Sequence, residues 1–191
     1  AYMTGVIAKL DALDTQSLSP EAKINLAIYR DQIEVRIAQI EFKEYEKPLN
    51  ADSTFWTNVA SYGPKAFSSE TQARAWISRL NDVPRYFADE TANMRLGLAR
   101  GFTPPRVTLE GRAASISSVY EGKTPEQSSF YEPFLSLPAS IPAATRAELE
   151  AEAKAAIADK VFPAYRTLLP FFRDEYYPKT TTELAATKLP D

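Results

Sequence analysis

One row of apolar residues governs the C-terminal third of this sequence. Leu149, Ala153, Ile157, Val161, Tyr165, Leu168, Phe172 and Tyr176 recur every three or four positions. That spacing places them on one side of an α-helix. The same stretch holds Pro163 and Pro170, seven residues apart. Each deprives a helix of one N–H donor. The pattern therefore predicts one long helix over about 142–177, kinked at Pro163 and Pro170 rather than divided into unrelated segments. Pro178 ends it, and residues 179–191 read as a polar tail.

A second long helix is predicted over about 20–46. Ser19-Pro20-Glu21 supplies a capping hydroxyl, a proline in the first turn and an acid against the helix dipole. Leu26, Tyr29, Ile33, Ile37 and Ile40 form a stripe, which Ile24, Ile28 and Val35 widen. Apolar residues on more than one face imply a spine packed between other helices. A short helix over 3–13 precedes it.

Between the two lies a helical hairpin, predicted over about 84–120. Phe87, Thr91, Met94 and Leu98 share one side of its first arm, and Gly101 stands where a left-handed residue would end that arm. Thr103 is placed to cap the second arm, with Pro104 and Pro105 in its first turn. Leu109, Ala113, Ile116 and Tyr120 line the second arm, which Glu121-Gly122 closes. Upstream, Ser68 or Ser69 caps a helix through Leu80, with Ala73, Trp76, Ile77 and Leu80 inward, before a break or kink at Asn81-Asp82. Phe55 and Trp56 pin the loop over 49–63. Phe130, Tyr131, Phe134 and Leu137 hold down a Ser- and Pro-rich loop over 123–140. No pair of alternating runs is joined by a hairpin turn. The sequence reads as all-α, a multi-helix array forming a single helical domain over 1–191.

The residue inventory restricts the chemistry. The 191 residues include no histidine and no cysteine. That removes Ser-His-Asp and Cys-His nucleophile systems, His-based metalloprotease motifs and thiolate metal sites. No Gly-rich phosphate loop or dinucleotide fingerprint occurs. A net charge of −3 gives no footprint for nucleic acid. No apolar run approaches the roughly 20 residues of a transmembrane segment. AYMTGVIAKL at the start lacks a charged n-region followed by an apolar core. Carboxylates do share helix faces, as with Glu148 and Glu152, or Glu41 and Glu44. Solvated faces ordinarily look like this. Arg95, Arg100 and Arg106 surround the hairpin corner, where guanidinium forks could bind a carboxylate or simply form ion pairs. The Tyr165–Tyr177 stretch could line a cleft or fill the core. Arg100, Arg106 and Tyr165 are the cleft candidates. No catalytic, cofactor-binding or metal-binding residue is assigned.

Several segments, taken together and in order, resemble the bacterial domain-of-unknown-function 885 family. They are LSPEAKINLAIYRDQIE, WISRLNDVPRYFADETANMRLGLARGFTPPRV, YEPFLSLP, AIADKVFPAYRTLLPFFRDEYYP and the final LPD. They cover most of residues 17–191 and match the N-terminal region of such proteins. Family members are usually much longer and resemble helical zinc metallopeptidases, often described as lipoproteins. Their second half carries a His-Glu-x-x-Pro-Gly-His type motif, in which the histidines would hold zinc and the glutamate would act as base. With no histidine here, none of those residues maps onto this sequence. The resemblance thus implies no cofactor in this chain, and zinc in a missing C-terminal half. It further implies a helical lobe that forms one wall of a peptide cleft, with that C-terminal catalytic region as partner, a peptide as substrate and no activity of its own. It tilts the location toward the cell envelope. The alternative is a stand-alone helical binding or scaffold module.

Overall fold

The computed structural model describes residues 2–185 and 187. Among them the regular elements are helical, apart from an isolated antiparallel bridge between Leu49 and Thr54. Two compact units emerge, one within Ala1–Tyr45 and one within Glu46–Pro190.

The first unit is a pair of helices, α1 (Tyr2–Asp11) and α2 (Pro20–Glu41). The Ser19 hydroxyl accepts the Ala22 N–H at 3.1 Å and starts α2 as expected. Arg30 joins the two helices through Asp11 and also bonds Glu34 at 3.0 Å. The expectation of a buried spine fails here. Ile33 is the buried residue of α2, whereas Ile24, Ile28, Val35 and Ile40 are each about half exposed or more. Apolar residues stand on several faces of α2, and α1 can cover only one of them. The helix also stops at Glu41 rather than near 46, and Lys43 follows with a left-handed backbone (φ 56°).

In the second unit, α3 (Phe55–Ser61) is a short helix closed by a Thr54–Thr57 capping box. Ser69 caps α4, which runs unbroken from Glu70 to Arg100. The predicted interruption at Asn81-Asp82 does not occur. The Asn81 side chain bonds back to the Ile77 carbonyl at 3.1 Å, and Leu80, Val83 and Phe87 are buried around Pro84. Burial on both sides outweighs the single bond that the proline removes. The first arm of the predicted hairpin is therefore the second half of one helix about 46 Å long.

Gly101 ends α4 at φ 77°, and the Phe102 N–H closes the turn on the Gly97 carbonyl at 2.8 Å. The second arm is broken, not continuous. A 3-10 turn, Arg106–Leu109, is separated by left-handed Gly111 from α5 (Arg112–Ser117). Leu109 and Ile116 still point inward and are buried. Thr103 caps no helix; its hydroxyl accepts the Thr181 N–H at 2.9 Å.

The C-terminal helix is the most informative element. It comprises α6 (Ala143–Ala156), a π-helical segment (Ile157–Val161), α7 (Phe162–Pro170), a second π segment (Phe171–Tyr176) and a 3-10 turn (Tyr177–Lys179). None of the eight residues of the apolar row is more than 2% exposed. From Leu149 to Tyr176, an ideal α-helix would overshoot seven turns by about 180° and carry the row to the wrong face. Each π-turn takes up one extra residue, about 100°, so two of them bring the row back onto the core. Pro163 and Pro170 stand at either end of α7, where the hydrogen-bond ladder already changes step. The kinks expected at both prolines take this form.

Aromatic rings fill the space between these helices. Phe87 meets Tyr165 at 4.8 Å between centroids, and Trp56 meets Phe172 at 5.4 Å, both tilted or edge-on. The indole of Trp76 donates to the Phe130 carbonyl at 3.1 Å. That bond, with buried Phe130, Tyr131 and Phe134, pins the loop over 123–140. Of the predicted tail, residue 186 and residues 188–191, which include the LPD segment, lie outside the described residues.

Candidate functional site

Each of the three cleft candidates already holds an intramolecular partner. Arg100, on the last turn of α4, donates through Nε to Glu46 at 2.8 Å and lies 4.6 Å from the centre of the Phe102 ring. Arg106 donates through its guanidinium to the carbonyls of Pro178 (2.6 Å) and Thr180 (2.9 Å), while its backbone N–H donates to Thr181 at 2.7 Å. The Tyr165 hydroxyl donates to the Trp56 carbonyl from full burial, and desolvation pushes its pKa strongly upward. The three serve separate contacts, at a helix end, at the start of the tail and in the core.

An open groove lies elsewhere in the second unit, along the seam between α4 and the C-terminal helix. Two sets of ion pairs fix the register. Arg74 reaches Glu148 and Glu152 near one end, and Arg95 grips Glu175 with two 2.8 Å bonds near the other. The two helices therefore run parallel. Leu80, Phe87, Val161 and Tyr165 are buried beneath the seam. Above them opens a groove of about 550 Å³ with Phe87, Ala88, Thr91, Ala164, Leu168 and Phe171 on its walls and floor. The small side chains keep it wide, and Phe171 sits on the second π segment.

The rim is charged. Arg95 stacks on the Phe171 ring at 4.7 Å, and its hydrogen bonds to Glu175 hold that carboxyl below its usual range. At the other end, Asp159 and Lys160 project from the first π segment. Among the described residues, neither side chain has an ion-pair or hydrogen-bond partner. A smaller hollow, between Ile77, Asn81 and Ala155, shares Asp159 and Lys160 and prolongs the groove toward α6. The sequence reading missed this site because its walls are alanines, threonines and prolines, which carry no chemical signature. The two prolines inside the apolar row were the available signal.

Among the described residues, no group of three or more His, Cys, Asp or Glu side chains is placed to hold a metal ion. With histidine and cysteine absent from the sequence, the donor set does not fit zinc, and no step is assigned through a metal here. Nor is any helix among the described residues long and apolar enough to cross a membrane.

Fold and site together define an all-α protein with an apolar seam open on one side. The chain belongs to the family described as bacterial proteins of unknown function (DUF885), which matches across residues 1–191. In fold it is similar to a crystal structure described as that of "the putative lipoprotein from Colwellia psychrerythraea", with a TM-score of 0.57 and 19% identity. That match covers 69% of this chain and 22% of the other, so the chain spans about a fifth of the length of the structure it matches. No curated protein matches it.

Proposed function

We propose that this chain is the N-terminal helical lobe of a larger zinc metallopeptidase-like protein and supplies one non-catalytic wall of its peptide-binding cleft. The observation that carries this reading is the open apolar seam of about 550 Å³ between α4 and the C-terminal helix. Water-exposed apolar grooves of this size mark binding surfaces. The charged rim and the π-turns that line the groove support the same reading, since π-turns recur at functional sites. The hydrolytic residues and zinc belong, on this reading, to the C-terminal region of the parent protein, which completes the cleft. The likeness in fold to a chain described as a "putative lipoprotein" supports a location at the cell envelope.

Titration of the isotope-labelled chain with the oxidised insulin B chain, followed by methyl NMR, tests this proposal. Binding that shifts Ala88, Ala164 and Leu168, with the peptide left intact, is the expected result. Absence of binding, or shifts confined to other surfaces, would refute it. A second reading, a self-sufficient binding module, draws on the closed aromatic core of the second unit. It predicts the same shifts, but no gain of peptide hydrolysis in any longer chain that includes this lobe.

A further inference from the structure

A separate hollow lies on another face of α4. Trp76, Arg79, Val83 and Tyr86 recur at intervals of three, four and three residues, which puts them along one side of that helix. Val59 and Tyr62, at the end of α3, close over them and leave a space of about 190 Å³. Its walls are mostly aromatic rings, and two of the three are braced from behind. The Trp76 indole spends its N–H on the Phe130 carbonyl at 3.1 Å and stacks on the Phe130 ring at 6.4 Å between centroids. Tyr86 meets Phe55 edge-on at 5.9 Å, and its hydroxyl donates to Glu90, which Asn93 also holds. Gly63 approaches Trp76 so closely that a Cβ there would fall 3.0 Å from two of the indole carbons. That approach fixes the end of α3 and with it Tyr62, whose ring is largely exposed and, among the described residues, stacks on no other.

We propose that this hollow binds an aromatic carboxylate, with the ring among Tyr62, Trp76 and Tyr86 and the carboxylate on Arg79. The site is distinct from the seam and does not rest on the peptide-wall reading. Size selects a single ring: apolar cavities of about 150 Å³ accept benzene. The walls favour a flat body, which meets each ring edge-on or offset. Charge selects the acid. Asp82 also lines the hollow, but Arg85 holds its carboxylate with two hydrogen bonds, one of 2.7 Å. Beyond Tyr86, the Glu90 carboxyl is committed to Tyr86 and Asn93. Arg79, among the described residues, has no ion-pair or hydrogen-bond partner. The uncompensated charge at the mouth is therefore a guanidinium, whose planar fork suits a carboxylate. A quaternary ammonium, the other ligand that ring-lined hollows take, would meet the same cation. The carboxylate belongs to a free aromatic acid or to the C-terminal residue of a peptide. For the latter, a shallow hollow over Ser78 and Asn81 shares Arg79 and Asp82 and leaves room for the preceding chain.

The test titrates small probes into the isotope-labelled 191-residue chain and follows the Trp76 indole N–H and the Val59 and Val83 methyls by NMR. Trp56, buried with its indole N–H on the Ser115 hydroxyl at 2.9 Å, is the internal control. The probes are N-acetylphenylalanine, its amide, N-acetylleucine, phenyltrimethylammonium and the tripeptide Ala-Ala-Phe. N-acetylphenylalanine should shift the site resonances with a Kd of roughly 1 mM, and the amide and the leucine compound should bind at least about threefold more weakly. Arg79→Gln should weaken the acid about threefold to fivefold and leave the amide unchanged. Arg79 is exposed and without a partner, so this variant leaves folding intact. Tyr62→Ala should weaken acid and amide alike, because it removes a ring and no charge. Tighter binding of the tripeptide than of N-acetylphenylalanine would support the site and identify a peptide terminus as its source; the reverse order would support the site and identify a free acid. Absence of shifts with every aromatic probe would overturn the proposal. So would an amide or a leucine compound that binds as tightly as the acid, indifference to Arg79→Gln, or tighter binding of phenyltrimethylammonium.

Discussion

Gly97 lies so close to the backbone of Glu46 that a Cβ at position 97 would fall 2.4 Å from the Glu46 carbonyl oxygen and 2.9 Å from that of Phe102. Neither oxygen can move without disturbing the Glu46–Arg100 ion pair or the Gly101 turn. Gly97→Ala should therefore destabilise the second unit by about 1–3 kcal/mol, despite the better helix propensity of alanine. Gly5, in α1, has nothing within 4 Å of its Cβ position. There the same substitution should stabilise the helix by roughly 0.5–1 kcal/mol. Urea unfolding followed by circular dichroism checks both signs, and destabilisation by Gly5→Ala would contradict the account.

Arg106 fastens the start of the tail to the corner after α4. Its side chain satisfies two of the last carbonyls of the C-terminal helix, and Thr103 receives the next N–H. Arg106→Ala should free residues 178–181, raising the tryptic cleavage rate at Lys179 and accelerating amide exchange there. The core should hold, because its aromatic contacts lie elsewhere. Both bonds leave one terminal nitrogen, Nη2, so Arg106→Lys, whose ammonium carries three donors, should restore much of the protection. An unchanged cleavage rate would show that the side chain does not hold the segment.

The sequence carried the helical class and most of the second unit's core, though not Phe67, Val83, Phe162 or Phe171. The apolar row from Leu149 to Tyr176 and the inward set Ala73, Trp76, Ile77 and Leu80 are both buried as their spacing predicts. It misled at α2, where the apolar pattern implied partners that α1 alone does not supply. At Asn81-Asp82 and Pro84, local breaker chemistry was overruled by burial on either side. Arg100, Arg106 and Tyr165 were nominated because they are the residue types that sites use. Their partners, Glu46, the carbonyls of Pro178 and Thr180, and the Trp56 carbonyl, are far away in sequence and left no local trace. The seam was illegible for a different reason: its openness is a matter of side chains that are small.

The two π-turns make a prediction about length rather than composition. If each absorbs one extra residue, removing a residue inside one should leave the buried row facing the core. Deletion of Lys160, combined with Pro163→Ala to permit a regular ladder, should yield a folded protein with native near-ultraviolet circular dichroism. Deletion of Ala151, in the regular α-helix before it, turns everything downstream by about 100° and should abolish cooperative unfolding. Equal tolerance of the two deletions would mean that the register is set by something other than the row.

The Arg95–Glu175 pair at the groove rim gives a pH signature. The hydrogen bonds from Arg95 depress the Glu175 pKa, so the folded state binds this proton more weakly than the unfolded chain. Its contribution is present above the ordinary carboxylate range, near pH 4.3, and is lost as pH falls through the lower folded value. Both side chains are substantially exposed, 52% for Arg95 and 37% for Glu175, so the effect should not exceed about 1 kcal/mol. Glu175→Gln should accordingly be slightly less stable than the native chain at pH 7 and indistinguishable from it at pH 3, measured by urea midpoints at each pH. Arg95→Ala, by contrast, also removes the stacking on Phe171, which does not titrate in this range. Its deficit should shrink toward pH 3 but not vanish, and the residue left at pH 3 measures how far the cation supports the groove wall rather than the carboxylate.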